Sequence, residues 1–201
     1  MRGLRVGLTG GLASGKSFLG IAFESFGCFV IRMDELGHQV QQPGAEAYDA
    51  IVREFGSSIL NENLTIDRRA LGREVFANPL RLDALNKIVH PAVRDKAQAL
   101  EREFFSHSPK GIAVTEAAIL IETGSFRDFD RLILAVCRPE QQIARAVARD
   151  GLSREEVLDR LARQMPLEEK KKYANYIIDT SGAKEDALAQ AKAVYERLKN
   201  L

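Results

Sequence analysis

Residues 10–17 read Gly10-Gly11-Leu12-Ala13-Ser14-Gly15-Lys16-Ser17, between the apolar run Leu4 to Thr9 and an amphipathic stretch that opens with Phe18. The octet matches G-x-x-x-x-G-K-[ST] in full, and it stands where that motif must stand, between a strand and a helix. Glycines let the chain curl so that successive backbone N–H groups point inward at a phosphate, and the helix adds its positive N-terminal end. Lys16 then reaches the β- and γ-phosphates as a mobile charge, and the Ser17 hydroxyl takes a place on Mg²⁺. The bland alternative is a glycine turn that merely joins strand to helix. Motif and context coincide, so the reading taken is ATP binding, with Gly11 to Phe18 as the contact residues.

Working outward, four more short apolar runs read as buried strands: Cys28 to Met33, Ile112 to Thr115, Leu132 to Val136 and Tyr176 to Ile178. They are continuous rather than alternating, as strands covered on both faces are. Helical stretches lie between them, and this alternation predicts an α/β fold with a five-stranded parallel sheet and helices on both faces. Two intervals exceed a simple crossover. Residues 36–110 hold the amphipathic segments Ala45 to Phe55, Arg68 to Phe76, Leu80 to Val89 and Pro91 to Phe105, a candidate helical substrate domain. Residues 139–173 form an arginine-rich helix-turn-helix pattern, a candidate lid, with Ser153 and Glu156 spaced as a capping box. The nucleotide-binding core is then 1–35, 111–138 and 174–201, closed by an amphipathic helix from Lys184 to Leu201.

Composition bounds the partners. The 201 residues carry 29 basic and 28 acidic side chains, so bulk charge argues for neither nucleic acid nor membrane, and anion binding has to be local. No apolar run approaches the roughly 18 residues of a membrane span; the best is Leu132 to Cys137. The N-terminus goes straight into the first strand with no signal-peptide pattern, which leaves a cytoplasmic location. Cys28 and Cys137 have no companions at metal spacing and read as buried, reduced thiols. No obligatory protein partner is evident.

Asp34 follows the second strand at its carboxyl end, where open α/β sheets take their ligands. A carboxylate there would deprotonate an acceptor hydroxyl or hold Mg²⁺ through water. The competing reading is a helix N-cap. Guanine readout lacks its Asn-Lys-x-Asp element, since Asn86-Lys87 continues as Ile88-Val89. The lid interval holds Arg138, Arg145, Arg149, Arg154, Arg160 and Arg163. Arg145 and Arg149 share one helical face and would close on a triphosphate together; Arg149 is the one backed, because Glu155, Glu156 and Asp159 explain others as a solvated, charge-paired face. His90 is a helix-junction residue or touches substrate, and Glu116 and Glu122 either line the cleft or face solvent.

Taken together these segments resemble the dephospho-coenzyme A kinase family over nearly the whole chain. Leu8-Thr9-Gly10-Gly11-Leu12-Ala13-Ser14-Gly15-Lys16-Ser17 is similar to that family's LTGGIGSGKS, and Ile119-Leu120-Ile121-Glu122 to its PLLFE. Further matches are Leu71 with Val75-Phe76, Leu85-Asn86 with His90-Pro91, Gln142 with Arg145 and Arg149, Arg160 with Gln164, and Ile177-Ile178-Asp179. The resemblance implies a P-loop fold like that of nucleoside monophosphate kinases, and transfer of the ATP γ-phosphoryl group, with Mg²⁺, to the ribose 3′-hydroxyl of dephospho-CoA. It implies Asp34 and Lys16 as catalytic residues, Thr9, Asp34, His90 and Glu122 on the substrate side, Ser17 on the metal, and Arg149 as a lid arginine touching ATP. The family's usual Asp-Ala-Asp is Arg32-Met33-Asp34 here, which bears on magnesium coordination. Ala118 replaces the proline of PLLFE, and Asn175 and Thr180 depart from the usual AD and DN, which bears on adenine-side contacts. The alternatives carried beside it are a kinase of another small hydroxylated acceptor, such as a nucleoside monophosphate, and a nucleotide-gated binding protein.

Overall fold

The structure is a computed structural model that describes residues 3–76 and 78–201. Met1 and Arg2, at the start of the expected core, and Ala77, within the expected substrate domain, lie outside the described residues, as does the Phe76 side chain. In chain order the elements are β1 (Leu4–Gly10), α1 (Lys16–Ser25), β2 (Phe29–Arg32), α2 (Met33–Gln39), α3 (Tyr48–Phe55), α4 (Arg68–Phe76), α5 (Pro79–His107), β3 (Ile112–Glu116), β4 (Arg131–Val136), α6 (Pro139–Asp150), α7 (Arg154–Ala162), α8 (Leu167–Lys170), β5 (Tyr176–Asp179) and α9 (Lys184–Leu198). Among the described residues no helix is long and apolar enough to cross a membrane.

The chain forms two compact units, one of residues up to Ile31 and from Glu103 onward, the other Arg32–Arg102. The first holds the five-stranded parallel sheet, in the order β2-β3-β1-β4-β5, with β1 paired to β3 and β4 and β4 to β5. Because the chain fills β2 and β3 on one side of β1 and then crosses to β4 and β5 on the other, the order reverses beside the carboxyl end of β1, where such sheets bind ligands. Alternation along β1 explains the packing. Val6 and Leu8 enter one core with Leu19 and Phe23 of α1, Ile133 of β4, Ile178 of β5 and Ala191 and Leu198 of α9. Emptying such a site by truncation to alanine costs about 2–5 kcal/mol. Gly7 faces the other way, and a Cβ there would come within 2.8 Å of Leu132 Cδ1.

The second unit is helical. Its core includes Leu36, Val40, Ile51, Phe55, Ile59 and Leu71, all buried, and Arg81 joins Glu54 and Glu74 at 3.3 and 2.8 Å while covering the Phe55 ring. One expectation fails here. Instead of separate helices meeting at His90-Pro91, α5 runs unbroken from Pro79 to His107 with Pro91 inside it. A proline in a helix interior removes one hydrogen bond and crowds the carbonyl four residues back, at about 3 kcal/mol. The helical pattern continues through it to the buried Val93 and Ala97, and that burial outweighs the local loss.

Candidate active site

Residues 10–17 form the curl that the motif demands. Gly15 is left-handed at φ 88° and so is Ala13 at φ 53°, an alternation that turns successive N–H groups to one side. The loop is wedged tightly into its surroundings. A Cβ on Gly10 would lie 2.4 Å from Ser14 Oγ and one on Gly15 3.0 Å from the Thr180 side chain. Thr180 Oγ1 donates to Ser14 O at 2.9 Å and accepts from Arg145 Nη1 at 3.1 Å, while Arg145 Nη2 donates to Thr180 O at 2.7 Å. Lys16 folds over the loop, its Nζ donating to Gly10 O at 3.3 Å and Gly11 O at 3.1 Å.

A cavity of about 430 Å³ opens on this loop, lined by Ala13 to Phe18 with Arg145, Ala148 and Arg149. The two arginines predicted to share a helical face therefore flank one space. The remaining lid arginines are engaged elsewhere where their partners are defined: Arg154 pairs with Glu140 at 3.2 Å and Arg138 donates to Ser181 O at 3.3 Å. Arg149 is held in a fork by its neighbour, Nε to Asp150 Oδ1 at 2.7 Å and Nη2 to Oδ2 at 2.9 Å, and this guanidinium lowers the Asp150 carboxyl below its usual range. The helix-turn-helix is present, its second helix opened by the capping box of Ser153 and Glu156, which is worth about 1 kcal/mol.

Glu116, at the carboxyl end of β3, is the functional candidate that sequence reasoning left open between cleft and solvent. It is only 7% exposed. Ser17 Oγ donates to its Oε1 at 2.8 Å, and its Oε2 is buried without a hydrogen-bond partner. A buried carboxylate oxygen left unpaired is costly, and beside the phosphate-loop hydroxyl it completes an all-oxygen donor pair suited to Mg²⁺, which takes one or two protein oxygens and fills the rest with phosphate and water. No cluster of three or more His, Cys, Asp or Glu side chains exists among the described residues, and a metal held largely by its nucleotide requires none. Sequence offers one faint signal for Glu116, an acid at the end of the strand whose register pairs it with Leu8 of β1.

Other predicted residues have defined partners. Thr9, fully buried, donates from Oγ1 to Ala118 O at 3.2 Å. Glu122 takes Lys170 Nζ at 2.7 Å and the Met165 N–H at 3.3 Å; Lys170 is itself fully buried and also donates to Ala118 O at 3.4 Å. The loop after β3 is thereby tied to both the end of β1 and the segment that leads from α7 into α8. Asn175 lies away from the phosphate loop, at the entrance to β5, where its Oδ1 accepts the Leu132 N–H at 2.8 Å and joins the beginnings of two strands. Asp34 and His90 belong to the second unit, both exposed. Asp34 is not a helix cap: the N-cap of α2 is Arg32, Asp34 stands in the first turn, and no side chain caps that helix. Arg32 lies 3.8 Å from Glu35.

Residues 4–186 match the family model described as dephospho-CoA kinase. The dephospho-CoA kinase of Syntrophus aciditrophicus is 38% identical over 97% of this chain and 83% of its own length. That of Geobacter metallireducens is 41% identical over 96% of each. Among solved structures, TT1252 from Thermus thermophilus superposes with a TM-score of 0.83 at 34% identity, covering 98% of this chain and 99% of its own. The dephospho-CoA kinase from Campylobacter jejuni gives 0.72 at 26% identity over 98% and 97%.

Proposed function

The chain belongs to the dephospho-CoA kinase family, and from that premise we propose how its residues divide the work of moving the γ-phosphoryl group of ATP to the ribose 3′-hydroxyl of dephospho-CoA, the last step of coenzyme A synthesis. The observation that carries the division is the cavity shared by residues 13–18, Arg145 and Arg149.

Within residues 11–18 the Leu12 and Ser14 N–H groups are engaged by Gln164 and by Gly11 O, and the other loop amides take the polyphosphate, with Lys16 leaving the loop carbonyls for the β- and γ-phosphate oxygens. Transfer spreads negative charge over those oxygens while positioning does most of the chemistry, so fixed cations in a dry site are the main contribution. Arg145, locked on Thr180, is a fixed wall. Arg149 exchanges Asp150 for the phosphate chain. Ser17 and Glu116 would hold Mg²⁺, which when bound would supply positive charge against the charge that develops on the transferred group. With Arg32 in place of a first carboxylate, this oxygen pair is the magnesium set that the chain retains.

Asp34 acts as the general base. The reading is supported by its place at the carboxyl end of β2 and by its freedom from capping. Its carboxylate takes the proton of the 3′-hydroxyl as that oxygen bonds to the γ-phosphorus, and the β–γ bridging oxygen leaves on ADP. Thr9 and Glu122 serve the acceptor side by shaping the loop at 118–122, and His90 contributes from the helical substrate unit, for which we keep 36–110, with 139–173 as lid. The free Cys28 and Cys137 fit a reducing compartment, and we assign the enzyme to the cytoplasm.

Incubation with ATP, Mg²⁺ and either dephospho-CoA or a panel of nucleoside monophosphates, read by mass spectrometry, tests the acceptor. CoA forms and the monophosphates stay unmodified; preferential phosphorylation of a monophosphate would overturn the assignment.

A further inference from the structure

One residue of the phosphate loop is gripped through both of its backbone polar groups. The Leu12 N–H donates to Gln164 Oε1 at 3.0 Å, and the Leu12 carbonyl accepts from Gln142 Nε2 at 2.9 Å. Gln142 is in the first turn of α6 and Gln164 lies just beyond α7. The two amides thus come from the two stems of the lid segment and meet on a single residue. Gln142 is 4% exposed, and a Cβ on Gly11 would stand 2.4 Å from its Nε2, so a side chain at position 11 would push this amide aside. Leu12 and Ala13 also pack into the lid's small apolar core of Ile143, Ala146 and Val157.

We propose that Gln142 and Gln164 are positioning residues that clamp Leu12, keep the phosphate loop curled for ATP, and fix the lid stems, with Arg149 between them, to that loop. Two physical facts carry this. Ala13 holds a left-handed backbone that side-chain-bearing residues disfavour, and such a conformation persists only where neighbours over-determine it. Leu12, directly before it, has its N–H and its carbonyl, which belong to the peptide units on either side of its Cα, both bonded to side chains rather than to the loop, so its orientation is set from the lid. A shift of either stem then moves the loop amides that face the phosphates. The direction of each bond also matters: position 142 must donate and position 164 must accept.

The inference rests on the phosphate-binding role proposed above for residues 10–17. Gln142→Met and Gln164→Met keep length and lose the amide. The clamp predicts that each raises KM for ATP, and the dissociation constant for MgADP by calorimetry, about tenfold, with KM for dephospho-CoA unchanged, kcat little changed and Tm within a few degrees of the parent. The double variant should be no worse than the more affected single one, because losing either bond releases the same residue, Leu12. Gln142→Glu and Gln164→Glu add the same charge at neighbouring places, and only the latter keeps the required acceptor. Gln164→Glu should therefore bind MgADP several-fold more tightly than Gln142→Glu. Wild-type affinity in both methionine variants, additive effects, or losses that fall equally on both substrates together with Tm would overturn the clamp. Failure of the parent protein to bind MgADP would instead sink the phosphate-binding role itself.

Discussion

Ser17 and Glu116 are joined by a hydrogen bond of 2.8 Å from hydroxyl to carboxylate, and the other carboxylate oxygen is buried with no partner. Under the magnesium role proposed above, that second oxygen is the one left to take the cation.

Glu116→Gln keeps a carbonyl acceptor for the Ser17 hydroxyl and removes the negative charge of the pair. The Mg²⁺ concentration for half-maximal activity should rise about tenfold or more, as expected for losing one charged oxygen donor, while the denaturant midpoint stays close to the parent's. Activity rates measured across a magnesium titration check this. An unchanged magnesium requirement would return Glu116 to a packing role.

Glu122→Gln strands the ammonium of Lys170, which is fully buried. Breaking one side of such a pair costs about 3 kcal/mol, and for a chain of this size that lowers Tm by about 6–12 °C. Glu122→Gln combined with Lys170→Met removes the stranded charge and should recover much of the loss. Calorimetric melting of the parent, the two single variants and the double variant decides; a double variant as unstable as the sum of its parts contradicts the pairing.

Asp34→Asn removes the proposed base without altering shape. A kcat loss on the order of 10² to 10⁴ is expected, with ATP affinity nearly kept. Steady-state rates with dephospho-CoA, beside nucleotide titration, separate the two effects, and a kcat equal to the parent's would leave Asp34 without a role in proton transfer.

Burial pushes the Cys28 thiol up to about 12, whereas an unfolded cysteine ionises near 8.5. The folded chain therefore keeps a proton that the unfolded chain releases, so stability is full below the ordinary thiol range and falls as pH rises above it. Between pH 8.5 and 10 the loss from this group is about 1.5 kcal/mol. Urea unfolding of the parent and of Cys28→Ala across that interval checks it: the parent should lose more stability than the variant, and equal slopes would contradict the burial argument.

Much of this protein is legible in its residues because the relevant signals are local. The strands read as continuous apolar runs since both faces of the sheet are covered, and the phosphate loop reads directly because eight adjacent residues make it. Arg145 and Arg149 share the cavity because a helix repeats every three to four residues. What escapes is long-range pairing. Nothing adjacent to Gln164 in the sequence points to Leu12, nor does anything near Lys170 point to Glu122, since each bond depends on how distant elements pack. Pro91 misleads for a different reason: a local rule against proline in helices yields to burial further along α5.

The account stands on the loop of residues 10–17 as the seat of the ATP polyphosphate, and isothermal titration of the parent and of Lys16→Ala with MgATP tests that directly. A saturable, one-to-one heat in the parent that is largely lost in an equally folded Lys16→Ala protein is the predicted result. Absence of heat in the well-folded parent, or equal affinity in both proteins, would contradict it.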